Sequence, residues 1–399
     1  MNVLERFLKY VKYDTQSDEN SSTFPSTAKQ LVLAKDLAEE LKAIGLENVV
    51  LDENGYVYGF LPASKGREGE KALGFIAHMD TAPDVTGENV KPSVIKYEGG
   101  DINLPSATLT TKNFPYLDRF IGQSLVVTDG STLLGGDDKA GVAEIFTACE
   151  YLVNNPEVSH RALAVCITPD EEIGCGADRF PFEIFAAKEA YTVDGGELGE
   201  IEYENFNAAG AKIKVNGINI HPGAAKNKMK NAVLMANKFI SLLPESQTPA
   251  TTEGYEGFYH VSDISGNESG ALVQMIIRDH DREKFEARKE FIKNTIAYLN
   301  SIYGENTFEL EIKDSYYNMK EKIEPHMYLI DNAKAAMEKV GVVSNVVPIR
   351  GGTDGARLSY EGLPCPNLST GDMNAHSIHE FVSVEAMEKM VEVIIELSK

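Results

Sequence analysis

Short apolar runs, each about the length of a buried strand, recur through the first half of the chain. Residues 73–77, 162–168 and 190–193 are continuous runs of this kind. Residues 26–45 and 139–153, in contrast, have the spacing and the end signals of helices. Continuous apolar strands that alternate with helices are typical of sheets covered by helices. The pattern therefore predicts an α/β fold, a mixed sheet covered by helices.

A different order of elements begins near residue 208. The apolar spacing there predicts strand, helix, strand, strand, helix and strand, in that order, at 211–215, 228–243, 256–263, 270–278, 281–300 and 307–313. This βαββαβ order is that of a ferredoxin-like α+β domain. Helices are again predicted at 325–340 and from about residue 384. We therefore predict a domain at 207–320 inserted into a discontinuous larger domain, 1–206 and 321–399.

Composition and charge narrow the classes of function. The 399 residues include 38 basic and 61 acidic ones, a net charge of −23. Such an excess of acid argues against nucleic acid or an anionic membrane as a partner. No apolar run approaches the ~20 residues of a membrane span, and the N-terminus lacks the apolar core of a signal peptide. Four cysteines without a CxxC pair do not suggest a disulfide framework. We expect a cytoplasmic protein.

Two polar residues follow the first apolar run. His78 and Asp80, in Ala-His-Met-Asp, come at its carboxyl end, where open α/β sheets place their ligand sites. Residues i and i+2 of a strand share a face. Histidine is a common metal ligand, and a carboxylate on its second ring nitrogen fixes the tautomer. A single pair of this kind is equally compatible with an ordinary polar contact.

Acidic residues follow the other apolar runs and a Gly-Gly pair. Glu171 and Glu172 are adjacent carboxylates near a strand end, an unfavourable arrangement unless cations neutralise them. Asp137, before Asp138, suits a bridging ligand but also an acidic helix N-cap. Asp194 precedes Gly-Gly and alone could be a turn residue. Since three strand ends each deliver such groups, the set as a whole indicates a two-metal hydrolase.

One histidine near the C-terminus would complete the set. His379, in Ile-His-Glu-Phe, and His376, three residues earlier, compete for this place. The chemistry of the two residues is the same, so the residues alone leave the choice open.

These motifs resemble those of the co-catalytic zinc aminopeptidase and carboxypeptidase family. Longer stretches resemble its tripeptide aminopeptidase branch essentially end to end. These stretches include Leu-Leu-Gly-Gly-Asp-Asp-Lys-Ala-Gly, Thr-Pro-Asp-Glu-Glu-Ile-Gly, Tyr-Thr-Val-Asp-Gly-Gly, Thr-Glu-Gly-Tyr-Glu-Gly-Phe-Tyr-His, Asp-Ser-Tyr-Tyr-Asn-Met and Pro-Ile-Arg-Gly-Gly-Thr-Asp-Gly-Ala. One departure is Gly136, where this loop of the family usually has Ala.

The resemblance implies a catalytic zinc-binding domain at 1–206 and 321–399, a lid domain at 207–320, and two zinc ions. One zinc ion would be held by His78 and Asp194, and the other by Glu172 and His379. Asp137 would bridge the two ions, and its peptide bond to the next residue would be cis.

The resemblance also implies the other site residues. Asp80 would orient the first histidine, and Glu171 would be the general base. His221, in Ile-His-Pro-Gly of the lid, matches a family histidine that stabilises the oxyanion. Arg278 and Arg350 are candidates for the substrate carboxylate, since guanidinium binds it bidentately, although both could instead form structural ion pairs.

The sequence therefore predicts a dizinc aminopeptidase that releases the N-terminal residue from tripeptides, with neither nucleic acid nor membrane as partner. A homodimer is compatible with this reading. One alternative is a related dizinc hydrolase of dipeptides or N-acyl amino acids. The other is a non-catalytic binding module with the same fold.

Overall fold

The computed structural model describes residues 1–399, and the chain divides into two compact units. The first unit comprises Met1–Tyr203, Glu321–Val347 and Thr353–Lys399, and the second comprises Glu204–Lys320 and Pro348–Gly352. The sequence expectation assigned the whole of 321–399 to the larger domain. The structure instead groups Pro348–Gly352 with the second unit.

The reason for this difference is local pairing within the second unit. Asn205 forms a parallel bridge with Ile349. The Ile349 carbonyl oxygen also lies 2.9 Å from Nε2 of His280. Five residues that follow the insert in sequence are therefore held by backbone contacts to its first residues.

The helices and strands have the following bounds. The helices are α1 (Val3–Tyr10), α2 (Gln30–Ile44), α3 (Gly136–Asn154), α4 (Ala232–Ile240), α5 (Arg282–Tyr303), α6 (Lys320–Ile323), α7 (Tyr328–Lys339), α8 (Asp354–Tyr360) and α9 (Val384–Ser398). The strands are β1 (Glu47–Leu51), β2 (Val57–Leu61), β3 (Leu73–His78), β4 (Ser93–Lys96), β5 (Ile102–Asn103), β6 (Thr108–Leu109), β7 (Ser124–Val127), β8 (Leu163–Thr168), β9 (Ala190–Gly195), β10 (Glu200–Glu202), β11 (Asn207–Asn216), β12 (Phe258–Gly266), β13 (Gly270–Asp279), β14 (Phe308–Tyr316), β15 (Asn345–Val346), β16 (Asn367–Ser369), β17 (Asp372–Met373) and β18 (Phe381–Ser383).

An eight-stranded sheet forms the centre of the first unit. Its strand order is β1-β2-β8-β3-β9-β16-β10-β15. The three predicted apolar runs form β8, β3 and β9, which are adjacent and parallel. Strands β3 and β8 are buried at every position, as expected for strands covered on both faces. Antiparallel pairs of β2 with β1 and β8 make the sheet mixed, so the predicted fold class is confirmed.

Helix ends in this unit follow the sequence signals. Helix α2 ends at Gly45, whose φ of 107° is left-handed, and the Gly45 N–H donates to the Leu41 carbonyl. Glycine takes this conformation without the steric cost of a Cβ. Helix α9 begins after Ser383, whose side chain accepts from the Ala386 N–H. Both helices lie close to the predicted bounds.

A second sheet in the first unit was not predicted from the sequence. Strands β17, β18, β7 and β4 form it in this order, and all its pairs are antiparallel. Strand β4 is exposed at three of its four positions, so it has no apolar pattern. The loop between β17 and β18 carries both candidate histidines of the C-terminal region.

The second unit has the predicted βαββαβ order. Its four strands form an antiparallel sheet in the order β12-β13-β11-β14. Side chains along β13 alternate between buried and half-buried positions. The buried ones pack with Phe239 of α4 and with Phe285 and Ile292 of α5. None of the helices of the chain combines the length and the apolar character that crossing a membrane requires.

Candidate metal centre

The central strands bring the candidate residues to one edge of the large sheet. Strands β8, β3 and β9 are parallel neighbours, so their carboxyl ends meet there. His78 is the last residue of β3, and Asp194 lies near the end of β9. The loop after β8 carries Glu171 and Glu172 in a short 3₁₀ turn. The sequence prediction that these strand ends converge is confirmed.

A first group of ligand atoms converges on one nitrogen of His78. Its Nε2 lies 2.9 Å from Oδ1 of Asp137 and 3.4 Å from Oδ1 of Asp194. An imidazole nitrogen carries at most one hydrogen, so it cannot donate fully to both carboxylates. The convergence of three ligand atoms is instead the arrangement that a cation requires.

A second group shares Asp137 with the first. Nε2 of His376 lies 2.8 Å from Oε2 of Glu172 and 3.3 Å from Oδ2 of Asp137. The two oxygens of Asp137 therefore face different histidines. A carboxylate placed in this way could bind one cation through each of its oxygens.

The structure corrects the expected ligand His379. Its ring packs against that of Phe114, with 5.3 Å between the ring centroids, and forms no ion pair with a carboxylate. The reason lies in its neighbours in the loop. The His379 carbonyl accepts a hydrogen bond from Asn374, and the next side chain, Glu380, is held by backbone amides of another loop. His376 occupies the place in the second group instead.

Carboxylates outside these groups orient both histidines. Asp80 is fully buried and lies 3.3 Å from Nδ1 of His78. It also accepts the backbone N–H groups of Glu171 (3.0 Å) and Glu172 (3.2 Å). Asp80 thus ties the first histidine to the turn with the Glu pair. Asp84 lies 3.4 Å from Nδ1 of the second histidine and has the same relation to it.

Asp138 is a supporting residue despite its position beside the shared carboxylate. Its carboxylate accepts the N–H groups of His78 (3.1 Å) and Gly141 (3.2 Å). Asp138 also lies close enough to His78 and Asp194 to join a ligand group, but each of its oxygens accepts one of these amides, which hold the carboxylate in place. The Asp137–Asp138 peptide bond is cis, as predicted.

Glu171 differs from its neighbour in having a backbone partner. Its Oε1 accepts the N–H of Asp354, at the start of α8, at 3.2 Å. Asp354 is itself held by the Thr168 hydroxyl group, at 2.8 Å. Burial, followed by the charge of Asp194, raises the pKa of Glu171 well above its ordinary value. A carboxyl with a raised pKa is suited to take and return a proton near neutral pH.

The electrostatics of the two groups fit divalent cations. Burial raises the pKa of Glu172 to about 8 and that of Asp194 to about 6. Oε1 of Glu172 is buried and has no hydrogen-bond partner. Tetrahedral zinc with bonds of 2.0–2.2 Å separates its ligand atoms by about 3.3–3.6 Å. Two of the distances here, 3.3 and 3.4 Å, lie in this range, and two, 2.8 and 2.9 Å, are shorter. The side chains present therefore fit a pair of metal ions.

Three predicted residues lie in the second unit. His221 is exposed and begins a short turn, in which its Nδ1 accepts the Gly223 N–H. Arg278, on β13, donates from Nη1 to the carbonyls of residues 209 and 277, and its Nε and Nη2 have no protein acceptor. Arg350 donates from both Nη atoms to the loop at 252–256. Arg350 thus keeps only its Nε without a protein acceptor, whereas Arg278 keeps both Nε and Nη2.

Comparison with known proteins decides the family. A peptidase T of Caldanaerobacter subterraneus is 55% identical over 399 residues, which cover 99% of this chain and 97% of that protein. A peptidase T of Clostridium acetobutylicum is 54% identical, with 99% and 98% covered. The chain belongs to the peptidase T family. It is therefore a metallopeptidase, as predicted.

Other comparisons agree with the fold of the peptidase T family. Residues 203–307 match the peptidase dimerisation domain of the M20 peptidases. The structure of aminopeptidase PepT from Bacillus cereus is 24% identical, with a TM-score of 0.76, and covers 100% of this chain and 97% of that one. A tripeptidase from Staphylococcus aureus is 22% identical, with a TM-score of 0.79 and the same coverage. At these identities the likeness concerns the fold.

Proposed function

We propose that the chain is a cytoplasmic dizinc aminopeptidase that releases the N-terminal residue from tripeptides. The observation that carries this proposal is the position of Asp137, whose two oxygens face two separate groups of ligand atoms. The names of the relatives support a peptidase. The tripeptide substrate class is carried over from the family resemblance of the sequence motifs.

The residues that would hold the two ions follow from the geometry. One ion would be held by His78 and Asp194, the other by Glu172 and His376, and Asp137 would lie between them. Bound zinc would supply a Lewis acid that polarises a carbonyl group and lowers the pKa of water.

Glu171 is the proposed general base and acid. Its Oε1 is held by the Asp354 N–H, and its own N–H is held by Asp80. These contacts fix both the side chain and the backbone of the residue. Glu171 would take a proton from the attacking water and return it to the leaving amine.

Substrate recognition is assigned to the second unit by the family resemblance. His221 would stabilise the oxyanion of the tetrahedral intermediate. Arg278 would bind the C-terminal carboxylate of the peptide through the donors that have no protein acceptor. Arg350 is the other candidate, but both of its Nη atoms donate to residues of its own unit. It enters the proposal as a structural residue.

A substrate panel with metal analysis tests the proposal. Purified protein should contain two zinc ions per chain and should cleave free tripeptides much faster than dipeptides, tetrapeptides or N-acyl amino acids. Preference for dipeptides or acylated substrates would place the chain with related dizinc hydrolases. Two bound ions without turnover of any substrate would favour the non-catalytic module.

The homodimer is a further part of the proposal. The match to a peptidase dimerisation domain supports it. Strand β12 lies at an edge of its sheet and is exposed over most of its length, so its backbone groups can pair with another strand. Sedimentation equilibrium should give twice the chain mass, and a monomer at micromolar concentration would refute the dimer.

A further inference from the structure

A single buried carboxylate holds the loop that carries the shared ligand. Oε2 of Glu380 accepts the N–H groups of Leu134 (2.6 Å) and Gly135 (2.9 Å). Its Oε1 accepts those of Gly136 (2.5 Å) and Asp137 (3.2 Å). We call these four residues together with Glu380 the amide clamp. Four successive backbone donors thus point at one side chain that is 1% exposed.

The clamp excludes Glu380 as a metal ligand. An ionised carboxylate has about four lone-pair sites, and the four amides use all of them. A carboxylate that is saturated in this way can act on the metal centre only through the backbone it holds. That backbone ends at Asp137, whose side chain faces both histidine groups.

Apart from the Asp138 carboxylate, which accepts the N–H groups of His78 and Gly141, the residues of this loop themselves do little to fix its position. Two of the four residues are glycines, and Gly135 has a left-handed φ of 83°. Asp137 and Asp138 have non-helical backbone angles, so the helical hydrogen bonds of α3 begin only after them. Without Glu380, four buried N–H groups would lose their acceptor. Buried donors without partners are costly, so the loop would rearrange.

We propose that Glu380 is a positioning residue that sets the Asp137 carboxylate between the two ligand groups. The inference rests on the two-metal centre of the proposed function. Since Asp137 belongs to both groups, disturbing the clamp should weaken both metal sites together. Loss of a ligand that belongs to one group, in contrast, should weaken one site.

Titration of the metal-free enzyme with Co²⁺ tests this proposal through the visible absorption of the bound ion. The variant Glu380→Gln replaces one acceptor oxygen by an NH₂ group that faces two N–H donors. We expect both binding steps to weaken by about 10- to 100-fold, as is typical when a group that supports a metal ligand is lost. Glu172→Gln should weaken one step only. Unchanged Co²⁺ affinity in Glu380→Gln would overturn the proposal, even if that variant unfolds more easily.

The matched control is Glu385→Gln. Glu385 also accepts a backbone amide, that of Ser124, through both oxygens (3.0 and 2.8 Å), but it lies outside the clamp. Its substitution should leave both Co²⁺ affinities at the wild-type values. Weakening as large as that in Glu380→Gln would show that the effect is not specific to the clamp, and would overturn the proposal.

If Glu380→Gln does not fold, a measurement on the wild-type enzyme can test whether the amide clamp is formed before metal binds. Hydrogen exchange, resolved to single residues, should show the amides of residues 134–137 protected in the metal-free enzyme, because Glu380 accepts them without metal. Rapid exchange of these amides before metal addition would refute a preformed clamp. If wild type instead binds a single Co²⁺ ion while the amides stay protected, the two-metal function fails and the clamp does not.

Discussion

Replacement of Gly136 by Ala is a sharp test of the packing around the metal loop. A Cβ at this position would lie 2.3 Å from Oδ1 of Asp372, 2.5 Å from Cγ2 of Val382 and 3.0 Å from Oε1 of Glu380. Non-bonded carbon atoms prefer about 3.5–4.0 Å, so these neighbours would have to move by about 1 Å.

The magnitude follows from two opposing terms. Overpacking of a buried site costs about 1–3 kcal/mol. Substitution of glycine by alanine also reduces the freedom of the unfolded chain, which stabilises by about 0.4–1 kcal/mol. Taking the middle of both ranges, about 2 kcal/mol against about 0.7 kcal/mol, we expect Gly136→Ala to lower the free energy of unfolding by about 1.3 kcal/mol. Because Glu380 is one of the displaced neighbours, the affinity for metal should fall as well.

The assay is urea unfolding followed by circular dichroism, since the chain has no tryptophan, together with metal analysis of each variant. Gly69→Ala is the control, because its added Cβ would have no atom within 4 Å and its φ is not left-handed. This control should be more stable than wild type by about 0.4–1 kcal/mol, because only the effect on the unfolded chain remains, and it should keep its metal.

A second substitution identifies Asp372 as the main obstacle. Oδ1 of Asp372 is buried and has no hydrogen-bond partner, so its removal sacrifices no hydrogen bond of that atom. In the double variant Gly136→Ala/Asp372→Ala, part of the lost stability should return. The loss in the double variant should be smaller than the sum of the two single losses by about 0.5–3 kcal/mol. Val382 limits the recovery. Strictly additive effects, or a single Gly136→Ala variant as stable as wild type, would refute the reasoning.

Three further predictions concern the site residues. Glu171→Gln should keep both metal ions and lose at least 10²- to 10⁴-fold in turnover, because it removes the base and no ligand; depletion of metal in this variant would contradict its role. His376→Ala should bind one ion fewer by metal analysis, whereas His379→Ala should keep both, and the reverse result would restore the original assignment. Arg278→Ala should raise KM for free tripeptides but not for their C-terminal amides, and Arg350→Ala should mainly lower stability; equal discrimination by both variants would place the anchor elsewhere.

The apolar strands could be predicted from the sequence because burial on both faces leaves continuous runs. Strands β3, β8 and β9 were found within one or two residues for this reason. The second sheet was missed because β4 is short and mostly exposed, so no period marks it. The unit boundary differs from the predicted one at Pro348–Gly352 because a backbone bridge to a distant segment leaves no trace in the local pattern.

The sequence was enough to predict the candidate site as a set of residues, but not to choose the histidine near the C-terminus that completes it. The sheet fixes the positions of its strand ends, so the predicted strands were enough to place His78 and Asp194 at the site. His376 and His379 lie in one loop, where no periodicity relates sequence position to direction. The direction of each side chain depends on what fixes the loop in place. Glu380 of this loop is fixed by the backbone N–H groups of four residues that lie far away in sequence.

Hydrogen bonding separates the carboxylates that support the site from those that are free to bind metal. Asp80, Asp138 and Glu380 each accept two or more backbone amides. Asp137 accepts none, and Glu172 has a buried oxygen without any partner. The residue type is the same throughout, so composition cannot make this distinction. Glu380 accepts four amides and has no lone pair left for a cation. Asp80 and Asp138 accept two amides each, which hold these carboxylates in place. The backbone around the site thus separates supporting acids from candidate ligands.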